Sequence, residues 1–345
     1  MATPGVTLTD RDREVYRTEL APWLPRRMLD AHVHVFERAC FPDGYKFDPK
    51  NLYVKFGGEH PIGLCLETAR ALLPDVEYGL LCFGTPDAVV DREAAARYSA
   101  SVADNERVFS LALVSPKDPI QDVERWVRQY GLLGYKPYHC LAKPSRGGEV
   151  SIPDMLTDAQ MRLADALGLV VMFHIPRARR LADPDNQREM VRLARRYPNA
   201  RIIFAHIGRA YYMQNVAGNL DGIAACPNAY VDIAMVNHPG VLEYAFRHFP
   251  RERILFGSDA PVAWLRGKSV EVNNQYAYLT GEDYRIGTMI YDAEHAVEFT
   301  FFFYEMLRGI KEAADRAGLT RSELEGLFHG NAHALLRDAA SRARP

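Results

Sequence analysis

Two histidines stand two residues apart in an apolar run: "MLDAHVHVF", residues 28–36, carries His32 and His34. In a β-strand, residues i and i+2 project from the same face, so both imidazoles would point together. A structural histidine usually comes alone, satisfied by one hydrogen bond, whereas a pair on one face suggests metal ligands. Further along, His174 follows "VVMF", His206 follows "IIFA" and Asp259 ends "FGSD". Neutral imidazoles with one carboxylate suit Zn2+ and related divalent ions, and catalytic sites of this kind leave a position for water. The ion lowers the pKa of that water towards neutrality. A carboxylate beside it can accept the water proton and return it to a leaving group.

For these residues to act together, the chain must bring the ends of several strands to one place. Short β-rich runs recur: 28–36, "YGLLCFG" (78–84), "VFSLALVS" (108–115), "LLGYKPYHC" (132–140), "LVVMFHIP" (169–176), "RIIFAHIG" (201–208), "AYVDIAM" (229–235) and "RILFGSDAP" (253–261). Near-continuous apolar runs are expected of parallel strands covered by helices. Segments such as "PIQDVERWVRQYG" and "DAQMRLADALG" lie between them, with apolar residues near helical spacing and a Gly, Asn or Pro stop. Eight strand–helix units predict an α/β protein, a (β/α)8 TIM barrel. A doubly wound open sheet would usually carry a Gly-rich phosphate turn after its first strand, where this chain has His-Val-His. In a barrel the active site lies at the C-terminal ends of the strands. Strands one, five, six and eight would then deliver His32, His34, His174, His206 and Asp259 to one mouth.

The predicted domain organisation is an N-terminal extension over 1–27 and a barrel domain over 28–345. Two Gly/Pro/aromatic-rich inserted loops, about 37–77 and 262–291, leave the C-terminal ends of strands one and eight. Long loops in that position tend to be lids or binding loops. The aromatic block Phe299–Tyr304 reads as a helix packed on the barrel, and Thr320 with Glu323 as a capping box.

The totals set the class. The chain has 345 residues, 48% hydrophobic and 25% charged, which is ordinary globular composition. A formal net charge of −2 provides no electrostatic case for nucleic acid or an acidic membrane. Five scattered cysteines with no C-x-x-C pair fit reduced thiols in a cytoplasm. No uninterrupted apolar run reaches spanning length, and the charged start lacks a signal segment. A soluble, cytoplasmic protein is expected, and a homodimer is the commonest assembly for such a chain.

H-x-H on strand one, histidines on strands five and six, and the aspartate of "ILFGSDAP" resemble the amidohydrolase superfamily. That run and the terminal "GNAHALL" are similar to its amidohydrolase-2 branch, which includes aminocarboxymuconate-semialdehyde decarboxylase; the resemblance spans roughly residues 28 to 337. It implies His32, His34, His174 and Asp259 as ligands of one divalent ion, Zn2+ first, with Mn2+ or Fe2+ as alternatives. It implies for His206 either a further ligand or an acid/base and electrophile beside the bound water, and the second role fits a one-metal site. In two-metal members a carboxylated lysine at the end of strand four bridges the ions. Lys136 in "GYKPYHC" sits about there, and with one metal it would help bind substrate instead.

Among substrate contacts, Arg209 is expected to meet a carboxylate on a small-molecule substrate, because its loop leaves the site directly. Arg177, Arg179 and Arg180 read as a solvated loop. Tyr138, His139 and Trp264 lie near strand ends, where each would line the pocket or pack beneath it. The function expected is hydrolysis of an amide, ester or lactone carbonyl, with Asp259 moving the proton and His206 polarising the carbonyl. A non-oxidative decarboxylase of a small carboxylic acid is the alternative, and a catalytically silent binding barrel the third reading.

Overall fold

Runs of Val, Ile, Leu and Phe, each closed by glycine, proline or a polar residue, become the staves of a barrel. The computed structural model describes residues 6–144 and 148–343. Its strands are β1 (Arg27–His34), β2 (Glu77–Phe83), β3 in two pieces (Val108–Ser110 and Ala112–Val114), β4 (Gly134–Pro137), β5 (Val170–Phe173), β6 (Arg201–Phe204), β7 (Ala229–Asp232) and β8 (Ile254–Leu255). Neighbours pair in parallel in chain order. At the seam, Ala31 N–H donates to the Phe256 carbonyl, Asp259 N–H to that of His32 and His34 N–H to that of Ala260, each at 2.8 Å. The circle is therefore closed, and the (β/α)8 barrel is the fold.

Helices cover the outside. Ile62–Leu72, Arg92–Val102, Ile120–Tyr130, Asp158–Leu167 and Pro184–Arg196 follow β1 to β5, and Pro239–His248 follows β7. Two one-turn helices, Met213–Val216 and Asp221–Ala224, make the crossover after β6. Each helix turns one apolar face inward; Ile120–Tyr130 buries Val123, Trp126 and Val127 and stops at Gly131, whose φ of 72° is left-handed. The barrel interior is filled by Leu29, Ala31, Leu81, Phe83, Phe109, Leu111, Met172, Ile203 and Leu255. Asn331–Ala343 plugs its N-terminal end with Ala332, Leu335, Leu336 and Ala339, so "GNAHALL" is a structural stopper. Among the described residues no helix is long and apolar enough to cross a membrane.

The two segments read as inserted loops are more ordered than expected. Within 37–77, Ile62–Leu72 is the barrel's own first outer helix, so the irregular part ends before it. Within 262–291 the chain builds a second sheet, with β9 (Gly267–Val272) antiparallel to β10 (Gln275–Thr280) and β10 parallel to β11 (Met289–Tyr291). Asn273 and Asn274, at φ 51° and 57°, turn the hairpin. The two insertions are clasped by ion pairs of Lys50 with Asp283 (2.9 Å), Lys55 with Glu282 (2.7 Å) and Arg285 with Asp48 (3.0 Å). The N-terminal helix Asp10–Val15 is tied to the second insertion by Arg266, which donates to Asp12 at 2.6 Å.

Candidate metal centre

A bulge in β1 decides where its histidines face. Leu29 and Ala31 point into the barrel, and strict alternation would then send His32 and His34 outward. The register against β2 slips between Asp30 and Val33, which swaps the faces, and Val33 and Val35 pack in the outer core instead. Bulges commonly re-aim side chains in this way next to active sites. Asp30 fixes the bulge: its carboxylate accepts from the backbone N–H of His32 (3.0 Å) and of Ser258 (2.9 Å) and from the Tyr78 hydroxyl. Burial raises this carboxyl to about 6, against the pull of those hydrogen bonds.

On the far side, β6 ends in a left-handed turn. His206, Ile207, Gly208 and Arg209 all have φ between 53° and 62°. Three are not glycine, and a left-handed residue with a side chain costs about 1–2 kcal/mol. The turn is held by Ala210 N–H on the His206 carbonyl (2.9 Å), by His206 N–H on Asp232 Oδ1 (2.8 Å) and by Arg209 Nη1 on the Ile175 carbonyl (3.1 Å). Its effect is to throw both His206 and Arg209 towards the mouth. Asp259, at φ 69°, is placed by a similar distortion after β8.

These elements bring His32, His206 and Asp259 together, with one ligand atom of each within 4.8 Å of the others. His34 joins through Asp259: its Nε2 lies 3.3 Å from Asp259 Oδ1, and His32 Nε2 lies 3.4 Å from the same oxygen. The other ring nitrogens are occupied. His34 Nδ1 is 3.0 Å from the Gly84 carbonyl and His206 Nδ1 is 2.8 Å from that of Ala234. A carbonyl can only accept, so both Nδ1 atoms carry the proton and both Nε2 atoms present a lone pair. His32 Nδ1 faces the Asp232 carboxylate at 3.0 Å, with the same result.

His32 Nε2 and His34 Nε2 thus each turn a lone pair towards Asp259 Oδ1, at 3.4 and 3.3 Å. Such a cluster of acceptors calls for a cation between them, and N-rich donors with one carboxylate are a zinc-type set. A ring proton on His32 does not supply that charge, because burial and the nearby Lys136 hold this imidazole down at about 3. Burial likewise lowers His206. The Asp259 carboxyl is lowered despite its burial, so it is ionised. Its side chain is 18% exposed while those of His32 and Asp232 are fully buried, so access to the cluster is from the Asp259 side.

The remaining sequence-predicted residues fall in different places. His174 lies beside the cluster, its ring centroid 5.3 Å from that of His206, without joining the tight group. Its Nδ1 is buried without a partner. Lys136 is fully buried, with Nζ 3.3 Å from His32 Nε2, and burial lowers it to about 7. The Tyr138 hydroxyl reaches His34 Nε2 at 3.2 Å, and its ring stacks on His174 at 5.4 Å. His139 stacks on the opposite neighbour of that ring pair, also 5.4 Å from His174. Trp264 is buried against His60, edge to face at 4.9 Å. The arginines divide: Arg177 is spent on Glu189 (2.8 and 2.9 Å), Arg179 is exposed, and Arg180 lies over tyrosine rings. The solvated-loop reading therefore fails for Arg180.

Two functional residues were missed from sequence. Asp30 and Asp232 touch no substrate position but fix His32 and His206. The signal for Asp232 existed, since it ends "AYVD" as Asp259 ends "FGSD".

Residues 29–337 match a family model described as Amidohydrolase. No protein of curated function matches the chain. Among solved structures, the 5-carboxyvanillate decarboxylase LigW from Sphingomonas paucimobilis is similar at TM-score 0.57 and 14% identity, covering 91% of this chain and 99% of that one. Amidohydrolase 2 from Bifidobacterium longum subsp. infantis is similar at 0.54 and 17%, covering 90% and 99%. A candidate 2-pyrone-4,6-dicarboxylic acid hydrolase from Pseudomonas putida is similar at 0.50 and 15%, covering 91% and 98%. At such identities the likeness is one of fold.

Proposed function

The chain belongs to the amidohydrolase family, and we propose that it is a metal-dependent hydrolase of a small molecule, acting at an amide, ester or lactone carbonyl. The observation that supports this reading is the meeting of His32 Nε2 and His34 Nε2 with Asp259 Oδ1, at 3.4 and 3.3 Å, with neither ring carrying its proton on that nitrogen. His32, His34, His206 and Asp259 would hold one divalent ion, Zn2+ by their chemistry or Mn2+ or Fe2+ by supply, with the unpartnered His174 at its outer edge. When bound, the ion supplies an activated water and a Lewis acid. Asp259, ionised and accessible, accepts a proton at its free carboxylate oxygen and returns it to the leaving group. The Tyr138 hydroxyl and the Lys136 amine lie at the wall of the cluster, where each can donate to a substrate oxygen. Arg209, which has no acidic partner among the described residues, would receive a carboxylate on the substrate.

That arginine also supports a second reading, a non-oxidative decarboxylase, and two of the similar structures are named for carboxylated compounds, one as a decarboxylase and one as a candidate hydrolase. The deciding experiment is elemental analysis of protein prepared without chelators, followed by assays of lactone, ester and amide panels and of aromatic and muconate-like acids in H2(18)O. About one divalent ion per chain and 18O in the product support hydrolysis. Release of CO2 with no 18O incorporation establishes the decarboxylase reading. A protein that takes up no metal refutes both.

A further inference from the structure

A second set of unsatisfied polar atoms lies beside the metal-type cluster, on the wall built by the loops after β4, β5 and β6 and by the inserted sheet. Arg180 Nη1 and His139 Nδ1 are buried with no hydrogen-bond partner, while the Arg209 guanidinium and the Tyr276 hydroxyl have as side-chain hydrogen-bond partners only the hydroxyls of Tyr211 and Tyr278. The large majority of buried side-chain polar atoms in proteins are paired, so a buried guanidinium nitrogen and a buried ring nitrogen left open on one wall require an explanation. Neither guanidinium has an acidic partner among the described residues, in contrast to Arg177, which takes Glu189. Arg209 is anchored by Nη1 to the Ile175 carbonyl and otherwise meets the Tyr211 hydroxyl, so its charge is not neutralised. Arg180, itself at φ 59°, places its guanidinium 5.1 Å from the ring centre of Tyr211 and 5.2 Å from that of Tyr276. Those two rings stack at 4.6 Å and 14°, and Tyr211 in turn lies 5.8 Å from His206. One aromatic ring therefore separates Arg180 from the metal-type cluster.

Two cations without counter-ions, one imidazole and one hydroxyl, framed by flat rings, are complementary to a carboxylate on a planar molecule. We propose that Arg180 and Arg209, with Tyr276 from the inserted sheet, form a carboxylate subsite beside the metal-type cluster, and that the substrate is an organic acid whose carboxylate is remote from its reacting carbonyl. This rests on the hydrolase reading for the reacting end only. The inserted sheet then has a purpose: it delivers Tyr276 to the wall that the arginines' own loops begin.

The test is calorimetric titration of the metal-containing protein with benzoate, isophthalate and glutarate, each against its neutral amide. The acids are expected to bind and the amides not. Arg180→Gln should weaken acid binding at least tenfold, and Arg180→Lys should recover part of the loss. Should Arg180→Gln fail to fold by circular dichroism, Tyr276→Phe removes only a hydroxyl and should weaken binding severalfold. Acids that fail to bind, bind no better than amides, or bind both variants as tightly as the wild type overturn the subsite. Normal metal content and hydrolysis alongside that result would leave the hydrolase reading intact. Conversely, Arg180-dependent acid binding by a protein that never takes up metal would keep the subsite and remove the hydrolase reading.

Discussion

Asp232 grips His32 by its outer nitrogen, with Oδ2 3.0 Å from Nδ1. The other oxygen of the same carboxylate accepts from His206 N–H at 2.8 Å and Ala234 N–H at 3.1 Å. One buried carboxylate thus sets the tautomer of a proposed ligand on β1 and the backbone of another after β6. Partners of this kind around a metal ligand change metal affinity by about 10–100-fold when removed. Asp232→Ala should therefore lower affinity for Zn2+ by that factor in a competition titration against a chromophoric chelator. Unchanged affinity in a folded variant would leave Asp232 with a purely structural role.

Asp259 is the only cluster member that is both ionised and reachable from solvent. Asp259→Asn keeps the size of the side chain but can no longer accept the proton. Turnover should fall by about 10^2–10^4-fold, the usual weight of a general base, while the circular dichroism spectrum stays that of the wild type. Near-normal hydrolysis by this variant would refute the role.

Acid should destabilise the metal-stripped protein. His32 is held at about 3 by burial and Lys136, and burial lowers His174 and His206 too. Below the ordinary histidine value of 6.5 the unfolded chain binds protons that the native state refuses, so stability falls as pH drops from 6.5 towards 3. The slope is about 1.4 kcal/mol per pH unit for each histidine kept neutral. Asp30 opposes this, since burial raises it to about 6 and its native proton favours the folded state below that pH. It is one group against several, since burial lowers His60, to about 4, and His139 as well. Melting temperature measured in chelator should fall from pH 8 towards 7, where Lys136 regains its proton in the native state, and fall again below 6.5 as the histidines are charged in the unfolded chain; a rise on acidification below 6.5 would contradict the neutral-ring assignment.

Much of this fold was legible because parallel barrel strands are buried on both faces and so read as apolar runs. Every barrel strand falls inside its predicted run to within one residue, and Thr320 caps its helix with Glu323 as expected. The local irregularities were not legible. The β1 bulge changes which face His32 and His34 occupy, and the two-residue alternation that first paired them holds only because it restarts past the slip. The left-handed turn at His206 is set by Asp232, 26 residues further on, and no local pattern encodes such a contact. The inserted sheet did leave a trace: "SVEVNNQYAY" alternates around an Asn-Asn pair, the signature of a two-residue hairpin. Reading that stretch as loop hid Tyr276.

Lys136 decides between one ion and two. Its amine is fully buried, 3.3 Å from His32 Nε2 and 4.7 Å from the Phe83 ring centre, and burial lowers it to about 7. An amine that is partly neutral at physiological pH could take up CO2 and bridge two ions. A second ion would also need its own carboxylate, and the one at hand, Asp232, is already committed to three hydrogen bonds. Among the described residues only one group of His, Cys, Asp or Glu side chains is close enough to hold an ion. Lys136→Met, which keeps the apolar stem and removes the amine, should therefore leave metal content at one ion per chain while activity falls by about 10^2-fold or more, as for loss of a donor to substrate charge. If wild-type protein carries two ions and the variant carries fewer, Lys136 is a carboxylated bridge, and added bicarbonate should then raise the metal loading of the wild type.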